Sequence, residues 1–246
     1  MEKAAKKWNV DLVVDAPYLS GNAAEQEAAI EEAVENGAQA VITVPADQVQ
    51  MEKFLDQSKL QVPVITLEKE LHSEKKFGAY IYDSEKAAKK LARAVLEEKK
   101  DASVALYASD VSAKETANCL DILEKELEDG GCTVIRRQYR QGFEIEGEVV
   151  VAADPYTFSQ IVNLQKIPDR LYGIGCSNKM LTLLEEGKVC AAVICNEYDK
   201  GYLSVEAAMK SIQNGTRQRT VKMEQVLVRQ ENLYDKEYEA LLFPIS

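Results

Sequence analysis

Hydrophobic and polar positions along the chain form a repeating unit. An alanine-rich amphipathic helix ends at a glycine, a short apolar strand follows, and polar or charged residues stand where the strand runs out. The clearest copy runs from Glu25 to Glu70 and reads EQEAAIEEAVENGAQAVITVPADQVQMEKFLDQSKLQVPVITLEKE. Strands such as Ala40–Val44 and Val62–Thr66 are apolar almost throughout, so both of their faces must be covered. That pattern predicts an α/β fold with parallel sheets between helix layers. Ligands of such sheets bind outside the carboxyl ends of the strands. Functional residues are therefore sought at Pro45–Asp47, at Glu68–Glu70 and at their later equivalents.

Helix ends are marked by capping chemistry. Asn22 and Ser112 each stand three residues before a glutamate (Glu25, Glu115), as in a capping box. Gly37, Gly130 and Gly187 sit where helices should stop in the left-handed conformation. Ala88, Leu91, Ala92, Val95 and Leu96 share one helix face, as do Gly201, Val205, Ala208, Met209 and Ile212. The pattern predicts helix 2–9, strand 11–15, helix 23–36, strand 40–44, helix 48–58 and strand 62–66. Strand 78–82, helix 84–98, strand 103–107, helix 112–128 and strand 132–139 come next. The remainder reads as strand 148–153, helix 156–165, strand 170–175, helix 178–186, strand 189–195, helix 198–213, strand 220–229 and a C-terminal segment to Ser246. About ten strands exceed what one doubly wound sheet of this length carries, so two α/β lobes are expected. With no Pro/Gly/Ser-rich linker in sight, several short crossings should join them.

Charge narrows the function. With 30 basic and 41 acidic residues the net charge is −11, which argues against a nucleic-acid partner, because phosphate contacts dominate such affinity. The basic clusters Lys3–Lys7 and Lys86–Lys90 are interleaved with alanine and acids and read as solvated helix faces. No apolar run approaches the roughly 18 residues of a membrane span, and no signal peptide precedes Trp8. The five cysteines, 119, 132, 176, 190 and 195, include no CxxC pair and read as small buried hydrophobes. A metal site would need partners, and the single histidine, His72, lies in a polar turn. No complete GxGxxG, GxxxxGK[ST] or GxSxG motif is present, so neither an enzyme nor a bound cofactor is expected.

Three stretches carry a family resemblance: ENGAQAVITVPADQVQMEKFLDQSKLQVPVITLEKE, YIYDSEKAAKKLARAVL and EEGKVCAAVICNEYDKGYLSVEAAMKSIQNG. In order and spacing the chain resembles the type I periplasmic binding proteins, the ribose-binding-like group that also supplies effector domains of LacI-type repressors. The resemblance implies two lobes crossed three times, near Ile81–Asp83, Cys195–Asn196 and Glu224–Val226. One lobe would comprise 1–82 with 196–224, the other 83–195 with 225–246. It also implies a small polar, sugar-like ligand in a cleft between lobes, with hinge closure around it.

Carried over by position, the family's ligand contacts fall on Glu68 and Lys69 (an aspartate–arginine pair in sugar binders), on Asp154 beside Pro155, and on Asn196 beside Cys195. Asp47 closes another strand end and joins this set. The carboxylate of the family's GFD strand end is absent, Gly175 standing in its place. Two features of the family's fold are also absent. Its helix between Arg140 and Val149 is replaced by QGFEIEGE, and its first strand, with an aromatic ligand loop, does not precede the helix at Glu2. The latter suggests a chain that starts late, by truncation or an internal start. It would expose apolar edges around Leu12–Val14 and Ala40–Val44, predicting a homodimer through the gap or a less stable fold. The expected role is extracytoplasmic solute binding, with the full-length protein periplasmic or membrane-anchored and its partner an ABC importer permease or a membrane signalling protein. The alternative is the ligand-binding core of a LacI-type regulator.

Overall fold

The computed structural model describes residues 1–15, 22–109, 111 and 114–242. In chain order it begins with α1 (Glu2–Trp8), α2 (Ala23–Glu35), β1 (Val41–Thr43), α3 (Gln48–Gln57), β2 (Val64–Glu68) and β3 (Lys76–Ile81). Next come α4 (Ser84–Glu98), β4 (Ser103–Ala108), α5 (Lys114–Asp129), β5 (Thr133–Gln138), β6 (Val149–Ala152) and α6 (Pro155–Val162). The last stretch holds β7 (Leu171–Ile174), α7 (Asn178–Glu185), β8 (Ala191–Cys195), α8 (Glu197–Asn214), β9 (Thr220–Lys222), β10 (Gln225–Val228) and α9 (Lys236–Leu242). Two compact units result, Met1–Tyr82 with Asn196–Met223, and Asp83–Cys195 with Glu224–Ser246.

The first unit holds a four-stranded parallel sheet in the order β1-β2-β3-β9. Val64, Ile65, Thr66 and Leu67 of β2 are all buried. Successive strand residues point to opposite faces, so both faces of this sheet are covered. Val64 joins Ile30 of α2 and Met51 and Leu55 of α3 in one core, while α8 packs on β1, β2 and β3. The second unit holds a six-stranded sheet in the order β10-β8-β7-β6-β4-β5. It is parallel except for β10, which runs antiparallel to β8 with Gln225 opposite Cys195. Every residue of β6, β7 and β8 is buried, as continuous apolar strands require. The mixed α/β class with parallel sheets between helices is thus as the pattern predicts. Among the described residues no helix is long and apolar enough to cross a membrane.

Several expected elements differ, each for a physical reason. Residues 11–15 form no strand, and Val13 and Val14 are 88% and 77% exposed. A strand needs a neighbour to take its backbone hydrogen bonds, and this segment has none among the described residues. The expected strand 220–229 is two strands, β9 pairing with β3 in the first unit and β10 with β8 in the second. The expected helix 156–165 starts at Pro155, whose fixed φ suits a first helical position, and ends at Val162. Gly130 does not take the left-handed conformation; Gly131 does, at φ 98°. Gly130 is needed for contact instead, because a Cβ there would run into Leu96 of α4. The buried stripe of α8 is Lys200, Ser204, Ala207, Ala208 and Ser211 with Val205, whereas Ile212 is 36% exposed. The cap expected at Ser112 lies outside the described residues, as does the end of the C-terminal segment.

Candidate functional site

Three of the five residues singled out in the sequence, Asp47, Glu68 and Lys69, stand at the carboxyl side of the first unit's strands, and Asn196 joins that unit as the cap of α8. β1 ends at Thr43, and the turn that follows is held by one amide. Gln26 of α2 donates from Nε2 to Thr43 Oγ1 (3.1 Å) and to the Val44 carbonyl (2.8 Å), and its Oε1 accepts from the Ala46 N–H (2.8 Å). Asp47 then caps α3, its carboxylate accepting from the Gln50 N–H at 2.8 Å. Lys69 reaches the same turn, donating from Nζ to the Ala46 carbonyl at 3.3 Å.

Glu68 ends β2 with φ at 65°, and the Lys69 N–H donates to the Leu67 carbonyl at 2.7 Å across it. That is a γ-turn with positive φ at its centre, a rare and strained geometry for a residue other than glycine. The Glu68 side chain is 49% exposed, and its Oε1 accepts from Lys200 Nζ at 3.2 Å. Lys200 sits in the first turn of α8 with its side chain only 4% exposed, and also pairs with Glu197 at 2.6 Å. Its ammonium lies 6.0 Å from the centre of the Tyr82 ring. Asn196 caps the same helix, accepting from the Asp199 N–H (2.9 Å) and donating Nδ2 to the Asp199 carboxylate (2.7 Å). Residues 43–47, 68–69 and 196–200 therefore form one polar cluster at the strand ends, whose cations are Lys69 and Lys200.

Asp154 belongs to the second unit, after β6. It is buried, and four donors meet its two oxygens. They are the Ser109 N–H (2.9 Å) and hydroxyl (3.2 Å), and the Thr157 N–H (2.8 Å) and hydroxyl (2.7 Å). These bonds tie the end of β4 to the start of α6. The Asp154 charge has a visible effect nearby, where burial first and this carboxylate second push the Cys119 thiol up to about 12. Cys119 therefore stays protonated and inert at neutral pH. Gly175, where the family's carboxylate is absent, has φ 133° and lies close enough to Pro155 that a side chain would press on it.

Lys200 and Gln26 escaped the sequence analysis. Lys200 stands in EYDKGY beside two acids, with no mark of burial in its immediate neighbours. The signal that reveals it is the spacing Lys200, Ser204, Ala207, Ser211, which places it on the buried stripe of α8. Among the described residues no group of three or more His, Cys, Asp or Glu side chains could hold a metal ion.

A family model described as a periplasmic binding protein domain matches residues 1–163. No curated protein matches the sequence. Among solved structures, a carbohydrate transporter solute binding protein from Agrobacterium radiobacter, in complex with D-arabinose, superposes with a TM-score of 0.80. It is 17% identical over 98% of this chain and 91% of its own. An ABC transporter solute binding protein from Bacillus halodurans with bound myo-inositol gives a TM-score of 0.80 at 16% identity, covering 97% of this chain and 90% of its own. A putative LacI transcriptional regulator from Bacteroides fragilis gives 0.76 at 13% identity, covering 94% and 90%. At such identities the likeness is one of fold.

Proposed function

Because the chain belongs to the periplasmic binding protein domain family, we propose that it is an extracytoplasmic solute-binding or sensor domain for a small, polar, sugar-like ligand. The family and its structural neighbours are binding proteins, and the proposed role involves no catalysis. The observation that carries the reading is Glu68, a half-exposed carboxylate on a strained turn at the carboxyl end of a parallel strand. Strain of this kind persists only where surrounding structure enforces it, and it gathers at binding sites. In this reading Glu68 accepts hydrogen bonds from ligand hydroxyls or an amine, and Lys69 donates to ligand oxygens. Asp47 and Asn196 fix the turns of the first unit's polar cluster, each as the cap of the helix that follows, and Asp154 caps α6 at a strand end of the second unit. The two units act as the family's two lobes.

The ligand is either delivered to the permease of an ABC importer or reported to a membrane signalling protein, with the full-length protein periplasmic or anchored at the membrane. The unpaired outer edge of β1 among the described residues, with exposed Val44 just after it and Val13 and Val14 exposed in a segment that forms no strand, supports a homodimer through that edge. Analytical ultracentrifugation should then give a dimer that Val13→Lys with Ile42→Lys converts to monomer; a wild-type monomer removes the dimer from the account. The fold shared with a LacI-type regulator favours a second reading, the ligand-binding core of a transcription regulator. A genomic sequence upstream of Met1 that encodes a lipobox or one membrane span supports the first reading, and one that encodes a helix-turn-helix supports the second.

The test of binding is a thermal-shift screen of pentoses, hexoses, their phosphates and small amines. At least one should raise the melting temperature in a saturable manner. If none does, recognition of a small ligand fails as the function and a protein partner replaces it.

A further inference from the structure

Two locally unfavourable choices meet at one ion pair in the first unit. Glu68 holds φ at 65°, which costs a residue with a Cβ free energy that glycine would avoid. Lys200 is a cation in the first turn of an 18-residue helix, where the helix dipole is positive and acids are preferred. Its side chain is also 4% exposed, so the ammonium has been taken out of water. Glu197, Glu68 and the Tyr82 ring offset that desolvation. Both acids, Glu68 and Glu197, are about half exposed, at 49% and 55%, so these pairings recover only part of the cost of burying the ammonium. Fold stability alone would place methionine or leucine at position 200, on a stripe otherwise made of small and apolar residues. Where adjacent positions both break local rules, the usual cause is a functional constraint on the pair.

We propose that Lys200 is a positioning residue for ligand recognition. Its ammonium holds one oxygen of Glu68 and leaves the remaining acceptor capacity of that half-exposed carboxylate directed at a ligand. The inference rests on the reading of Glu68 as a ligand contact and adds the residue that orients it. The chemistry implied is a ligand that donates hydrogen bonds, a polyol or an amine, because the group Lys200 fixes is an acceptor. Lys200 touches the ligand only through Glu68.

The experiment compares the intact chain with Lys200→Met, Lys200→Gln and Lys200→Arg, using D-arabinose, D-galactose and myo-inositol as probes. The unliganded Lys200→Met protein should melt at or above the wild-type temperature while its affinity for whichever probe binds wild type falls at least about tenfold. Lys200→Gln should lose affinity in the same way, and Lys200→Arg, which keeps the cation, should recover most of it. A fall in melting temperature in both neutral variants with affinity unchanged overturns the proposal and makes Lys200 a structural ion. If wild type binds none of the probes, the proposed function fails separately. The melting temperatures then still decide, a rise supporting a residue kept against stability and a fall overturning it.

Discussion

Glu68 and Asp154 are both carboxylates at strand ends, one in each unit, yet their surroundings differ in kind. Asp154 is buried and meets four donors from Ser109 and Thr157, so its acceptor capacity is spent within its own unit. Glu68 is 49% exposed, meets one lysine among the described residues, and stands on a turn of positive φ. A strand end facing the ligand side of a parallel sheet can thus serve two ends. In the second unit it stitches a strand to a helix, and in the first it keeps a charged acceptor open. What separates the roles is the number of donors the unit itself supplies, a quantity set by residues far away in sequence.

The largest expected effect follows directly. Asp154→Ala removes a helix cap and leaves the donors of Ser109 and Thr157 without their acceptor, which should cost about 3 kcal/mol of stability. Glu68→Ala removes an exposed acid and leaves Lys200 paired with Glu197, and should change stability by about 1 kcal/mol or less. Urea denaturation of both variants checks the contrast, and equal losses would erase it.

The α/β class, most helix and strand segments and the cap at Asn22 were legible because each depends on neighbours in sequence. Asp47, Asp154, Ser177 and Asn196 also each cap the helix that follows them through a backbone N–H three residues on, although Asp47, Asp154 and Asn196 were singled out in the sequence as ligand contacts. What was not legible depends on distant partners. Residues 11–15 have the composition of a strand, but pairing decides whether a strand forms. The donors that saturate Asp154 include Ser109, 45 residues earlier, and Glu68 meets Lys200 across 132 residues. A capping aspartate and a ligand aspartate look alike until those partners are known.

A smaller effect sharpens the account of the first unit. If the turn at Glu68 is strained, Glu68→Gly should be more stable than Glu68→Ala by about 1 kcal/mol, because glycine accepts positive φ without steric cost. Thermal unfolding of the two variants measures the difference, and a less stable glycine variant would mean the turn carries no such strain.

The smallest effect is a pH dependence at Glu70, two residues on. The Thr220 hydroxyl first, and then Lys76 at 3.2 Å, hold its carboxyl below the ordinary 4.5 against the opposing push of partial burial. A depressed carboxylate contributes stability that is fully present above 4.5 and is lost as pH falls through its lower folded value. The stability gap between wild type and Glu70→Gln should therefore be constant from neutral pH down to about 4.5 and close below it. A gap that persists under acid would show that Glu70 acts by packing and not by charge.

The central claim is that the open strand ends of the first unit bind the ligand. The measurement that tests it most directly is calorimetric titration of wild type, Glu68→Ala and Lys69→Met with the strongest compound from the thermal-shift screen. The account predicts saturable binding to wild type and at least about a tenfold loss in each variant, since each leaves ligand polar groups unpaired. Wild-type affinity in both variants would contradict it.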